Sequence, residues 1–304
     1  MTEKLILIFF LFVSLQPAEK APYLIILGIA QDAGYPQIGC DKACCKKVWN
    51  NKLKKQKVSS LALFDPATHQ KWIFDATPDF TEQVYEAERV QPGNLSGIFL
   101  THAHTGHYTG LMYLGKEGMN AKAIPVYAMP RMYDFLNNNG PWSQLISLKN
   151  IELKKIFTGS AIRLTDKIKV TPLLVPHRDE FSETVGYAIY TGEKSVLFIP
   201  DIDKWEKWES SIKNLVPQFD FLFLDGTFYS EGELPGRNMS EIPHPFVQES
   251  ISLFSDLKPS EKNKIWFIHF NHTNPLLDSL SAAYKEVKNR GFNISREGIK
   301  IILN

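Results

Sequence analysis

Short apolar runs rich in β-branched and aromatic residues, each bounded by turn residues, constrain this chain's fold more than any other feature. YLIILGI (23–29), VSSLALFD (58–65), KWIFDA (71–76), GIFLTHA (97–103) and IPVYAM (124–129) read as strands of a first half. IKVTPLLVPH (168–177), VGYAIYT (185–191), SVLFIPD (195–201), DFLFLDGT (220–227) and KIWFIHF (264–270) read as strands of a second. Helical patterns lie between them at 81–90, 130–138, 245–255 and 279–289, with a further helix expected near 110–118. No Pro/Gly/Ser-rich linker or fixed-period repeat divides the chain. The pattern predicts one α/β (α+β) domain over 22–304, built as two packed sheets flanked by helices.

The first residues differ from the rest. MTEKLILIFFLFVSLQPAEKAP runs apolar from Leu5 to about Leu15, too short to span a bilayer but suited to the apolar stretch of an export signal. The alternative, a buried N-terminal strand, is less economical because the first strand follows separately at 23–29. Residues 1–21 are therefore expected to be a signal peptide. The mature protein is then periplasmic or secreted, with no stable membrane anchor after processing. A formal net charge of +1 gives no electrostatic reason to expect nucleic acid. A small-molecule substrate is the expected partner.

Eight histidines serve the whole chain, yet His102, His104 and His107 fall within THAHTGH, directly after a strand. An i, i+2 pair on extended backbone points two imidazoles to one side, and His107 can reach an adjacent ion after the turn at Gly106. That density at a strand end marks a metal site. The three cysteines, Cys40, Cys44 and Cys45, lie in CDKACC. So odd and tight a group makes a poor disulfide framework and reads better as metal ligands.

THAHTGH resembles the H-x-H-x-D-H signature of the metallo-β-lactamase superfamily, whose fold is an αββα sandwich. The resemblance implies further ligands at later strand ends: His177 in LLVPHRDE, Asp201 in SVLFIPDID with Asp203 as the fallback, and His269 in IWFIHFNH. It implies a first metal on His102, His104 and His177, and a second on His107 and His269 that shares Asp201. Asp201 and His269 are the implied catalytic residues. Such ligands hold Zn²⁺ or Fe²⁺ and leave a position open for water, whose pKa falls to about 7. The implied reaction is hydrolysis of an ester, phosphodiester or lactam-type bond.

Gly106 stands where the superfamily signature carries an aspartate. One negative ligand is lost there, so a well-bound first zinc and a conditional second one are expected, with Asp203, Asp179 or Glu180 as possible replacements. GIAQDAGYPQIGCDKACC, FDATPDF, FLDGTFYS and IHFNHTNPLL are similar to segments of the PqqB branch, from pyrroloquinoline quinone biosynthesis, and of the phosphonate-pathway phosphodiesterase. This second resemblance implies a structural zinc on Cys40, Cys44 or Cys45, and His272. It also offers a competing reading, an iron-dependent oxygenase acting on a quinone precursor; a third is a non-catalytic metal carrier. Asp75 and Asp79 are expected to orient the histidine loop, and Asp225 to act similarly. His69 is expected to be exposed in a turn. His244, between prolines in IPHPF, could approach the active-site mouth through its loop.

Overall fold

The computed structural model describes residues 21–304. The apolar run at 5–15, and the export signal read from it, lie outside the described residues. The first half of the chain forms β1 (Tyr23–Gly28), β2 (Ser60–Asp65), β3 (Gln70–Phe74), β4 (Asn94–Phe99), β5 (Ile124–Ala128) and β6 (Ile151–Lys155). The second half forms β7 (Ile162–Arg163), β8 (Lys169–Leu174), β9 (Val185–Tyr190), β10 (Ser195–Ile199), β11 (Phe221–Asp225), β12 (Ile265–Ile268) and β13 (Asn293–Ile294). Last comes β14 (Lys300–Ile302), which pairs back onto β1. The sheet orders are β14-β1-β2-β3-β4-β5-β6 and β13-β12-β11-β10-β9-β8-β7.

Each sheet passes from an antiparallel meander into a parallel run. In the first, β1, β2 and β3 are antiparallel and β3 to β6 parallel. In the second, β7 to β10 are antiparallel and β10 to β13 parallel. Parallel neighbours end on the same edge, so the carboxyl ends of β3 and β4, and those of β10, β11 and β12, each gather their following residues at one place. The strands that feed the site are buried along nearly their whole length, which explains why they read as continuous apolar runs and not as alternating ones.

The inter-sheet core is aromatic. Phe74 stacks on Phe99 at 5.2 Å between centroids, and both meet Tyr187 of the facing sheet at 5.5 and 5.4 Å. A second core lies outside the first sheet, where the helix Phe80–Val90 buries Phe80, Gln83 and Ala87, and the helix Pro130–Asn138 buries Met132 and Leu136. The expected helix near 110–118 is a 3₁₀ segment, Thr109–Leu114. The helix Ala43–Trp49, which carries two cysteines, is added to those expected.

The sheets are also tied by polar contacts where the metal-site segment leaves β4. The Tyr187 hydroxyl donates to the Leu100 carbonyl at 2.5 Å, and the Val185 amide donates to the Thr101 carbonyl at 3.1 Å. Tyr187→Phe removes the first bond and leaves the ring packing. Urea unfolding should show a loss of about 1 kcal/mol; unchanged stability would show that this cross-sheet bond contributes nothing.

Candidate metal centre

Residues that follow strands from both sheets converge on Asp201, just past β10. Its Oδ1 lies 3.3 Å from His177 Nε2 and 3.1 Å from His244 Nδ1. Its Oδ2 lies 3.4 Å from His102 Nε2, and 3.9 Å from both His107 Nε2 and His269 Nε2. Two donor groups flank it. One comprises His102, His104, His177 and Asp201; the other comprises Asp32, His107 and His269. All six ligands expected at the catalytic centre from the sequence are thus brought together.

Hydrogen bonds fix which ring nitrogen faces the centre, and both sheets use the same device. Asp75, past β3, accepts from the Thr101 amide at 2.8 Å, from the Thr101 hydroxyl and from His107 Nδ1 at 2.7 Å. Thr101 Oγ1 in turn lies 3.0 Å from His102 Nδ1. In the second sheet Asp225 accepts from the Thr227 hydroxyl at 2.7 Å, and Thr227 Oγ1 lies 2.9 Å from His269 Nδ1. These networks assign the Nδ1 proton of His102, His107 and His269 to the protein side, leaving each Nε2 lone pair on the metal side. His104 is turned the other way, with Nε2 3.2 Å from Glu180 Oε2 and Nδ1 2.8 Å from His102 Nε2.

Asp75 and His269 hold left-handed backbone, φ +68° each, unusual for side-chain-bearing residues. Asp79, expected to join Asp75, instead caps another loop: it accepts from the Val58 amide at 2.9 Å and from Lys55 Nζ at 2.7 Å. His69 lies in an exposed turn, as expected.

Whether these residues suit cations can be judged from their unmet polar atoms. Asp32 Oδ1, His107 Nε2, both nitrogens of His177, Asp201 Oδ1 and His269 Nε2 are buried and have no hydrogen-bond partner among the described residues. Some of these atoms face each other in close charged pairs, as Asp32 Oδ1 and His107 Nε2 do at 3.0 Å, without hydrogen-bond geometry. Divalent ions at the two groups would satisfy the atoms that face inward, and imidazole with carboxylate suits zinc or iron. Electrostatics agree. Burial, then the neighbouring charge of His107, holds His102 well below the usual imidazole range, so it stays a neutral donor. Burial opposes charge on His107 too, but Asp75 and Asp32 override it and push the ring well above that range, so this place attracts positive charge.

Asp32 was not assigned to the centre from sequence, whereas His244 was given only as a loop residue able to approach its mouth, and both lie at it. Asp32, in the loop after β1, places Oδ1 3.0 Å from His107 Nε2. His244 sits between Asp225 and Asp201, its Nδ1 2.8 Å from Asp225 Oδ2. Burial disfavours its charge, yet Asp225 and Asp201 push its pKa up to about 10. The carboxylates proposed to replace the one missing at Gly106 are engaged elsewhere. Asp203 bonds Lys207 at 2.8 Å, Asp179 accepts from Thr184 at 2.8 Å, and Glu180 meets His104.

The cysteine cluster forms a separate donor group. Cys40, Cys44, Cys45 and His272 bring one ligand atom each to within 4.8 Å of one another, so all four candidates meet where fewer were required. Cys44 and Cys45 come from the helix Ala43–Trp49, and His272 from the loop after β12. Three thiols and an imidazole make a closed tetrahedral set for structural zinc.

Two substitutions separate these roles. Asp75→Asn removes the charge that orients His107, and metal affinity at the histidine centre should fall about 10–100-fold in competition with a chelator; unchanged affinity would contradict the orienting role. Cys40→Ser should lower the thermal midpoint and release about one zinc per chain while the histidine centre keeps its metal. Loss of the histidine-bound metal alone would contradict a structural role.

Comparison with known proteins identifies the family and agrees with the fold. Residues 71–270 match the family model described as a beta-lactamase superfamily domain. The coenzyme PQQ synthesis protein B of Xanthomonas campestris pv. campestris (strain B100) is 22% identical over 309 residues, covering 92% of this chain and 99% of that protein. The zinc-bound PqqB structure from Methylobacterium extorquens superposes with a TM-score of 0.77 at 22% identity, covering 92% of this chain and 100% of that one. A diphosphatase of the PhnP family superposes with a TM-score of 0.62 at 22% identity, covering 92% and 96%. The chain therefore belongs to the metallo-β-lactamase superfamily, within which it is PqqB-like.

Proposed function

We propose that the protein is an exported metal-dependent hydrolase that cleaves an ester, phosphodiester or lactam-type bond in a small molecule. The observation that carries this reading is the position of Asp201, one carboxylate within 4 Å of imidazoles from both donor groups. That placement suits a pair of cations sharing a ligand, as in two-metal hydrolysis. When bound, such cations lower the pKa of a water and polarise the bond it attacks. The chain's own residues set the rest. Asp75 and Asp225, through Thr101 and Thr227, hold the imidazoles in one tautomer. His244, anchored by Asp225, contacts Asp201 Oδ1 and fixes that carboxylate's direction.

One observation favours a second reading. Asp32, His107 and His269 form a two-imidazole, one-carboxylate set, the ligand type of non-haem iron oxygenases. The similarity to proteins named for coenzyme PQQ synthesis supports it as well. Assay of the zinc-loaded protein on chromogenic phosphodiester, ester and β-lactam substrates separates the readings. Turnover of at least one substrate, abolished by His102→Ala, is expected. No turnover with the centre fully loaded, together with substrate-dependent oxygen uptake by the iron-loaded protein, would replace hydrolysis by oxygenation. Inactivity in both assays would leave a metal carrier.

A further inference from the structure

Gly106 is buried, and its backbone lies outside the left-handed region, so its dihedral angles do not demand glycine. Space does. A Cβ built there would sit 2.3 Å from Asp32 Oδ1, 2.5 Å from Asp32 Cα and 2.9 Å from Asp32 Cβ. Two of those atoms belong to the backbone and the root of the side chain, so rotating Asp32 does not relieve the clash. The loop itself has little freedom to retreat. The Ala30 amide donates to the Lys57 carbonyl at 2.9 Å, and the Gln31 amide donates to the Phe270 carbonyl at 2.9 Å, next to His269.

The Asp32 carboxylate points where a ligand is needed. Its Oδ1 is buried and has no hydrogen bond among the described residues; it lies 3.0 Å from His107 Nε2 and 3.9 Å from His269 Nε2, which likewise have none there. Three unmet donor atoms from three separate segments thus face one point.

We propose that Asp32 is the carboxylate ligand of the second metal position, delivered from the loop after β1, and that Gly106 is the gap that admits it. Positions 32 and 106 form an exchange pair: a carboxylate can reach the second metal from either, but not from both. The inference deepens the metal-centre reading and reverses the expectation that Gly106 weakens the second site. It holds whether the reaction is hydrolysis or oxygenation.

The test reads metal, not turnover. Purified full-length protein is dialysed against a zinc buffer and its zinc measured by elemental analysis, with thermal unfolding to confirm folding. Asp32→Asn and Gly106→Ala should each lose about one zinc per chain relative to the parent, the first by removing the ligand and the second by displacing it. The double variant Asp32→Gly/Gly106→Asp should regain that zinc relative to Asp32→Gly. Full zinc retention in folded Asp32→Asn would overturn the ligand assignment. Retention in folded Gly106→Ala, or a double variant holding no more zinc than Asp32→Gly, would overturn the exchange. If the double variant does not fold, Gly106→Ala alone decides the second claim. Because zinc content is independent of substrate choice, failure of the hydrolase reading leaves this result unaffected.

Discussion

A fully buried carboxylate within 4 Å of five imidazoles is the constraint on which the rest of the structure depends. Asp201 meets His102, His107, His177, His244 and His269 at once. Burial would raise its pKa, yet the surrounding rings, His177 and His244 foremost, hold it well below the usual carboxylate range. So many ligand atoms around one anion, several without a hydrogen bond among the described residues, make an arrangement that suits positive charge. The fold supplies the means. Parallel strands β10, β11 and β12 end together on one edge, β3 and β4 end on the facing edge, and the aromatic core between them fixes the separation of the two edges.

The second sheet repeats the first in its supporting chemistry as well as its topology. Asp75–Thr101–His102 and Asp225–Thr227–His269 are the same carboxylate–hydroxyl–imidazole chain, one from each sheet. In both, a buried aspartate at or just past a strand end collects hydroxyl and ring protons and so leaves a metal-facing lone pair. The left-handed backbone at Asp75 and at His269 falls within these two chains, where strain is offset by the bonds made. The cysteine group extends the design outward. His272 follows His269 by three residues, and the thiols lie further along the segment that carries Asp32, so a zinc there would tie the Asp32 loop to the end of β12.

Much of this was legible in the sequence because the signal was local. Strands buried on both faces leave uninterrupted apolar runs, and a histidine or aspartate closing such a run, as at His177, Asp201 and His269, stands out. His102, His104 and His107 were legible from density alone. Asp32 was not, because it sits in a turn with no periodicity and meets His107 only through tertiary folding. The glycine at 106 signalled that something differed, but whether space or lost chemistry was the reason depended on what filled the gap. His244 lay between prolines, away from any strand, and only the return of its loop over β11 brings it to Asp225. Strands β13 and β14 were illegible for another reason: two or three residues are too few to set a pattern, and their pairing partners define them.

The central claim is that Asp201 lies between two cations, one held by His102, His104 and His177 and the other by Asp32, His107 and His269. Anomalous diffraction at the zinc edge, from crystals of the zinc-loaded protein, tests it most directly. The account predicts two peaks flanking Asp201, with Asp32 in contact with the second. A single peak at the His102 group, with Asp32 hydrogen-bonded to His107 in place of a metal, would contradict it.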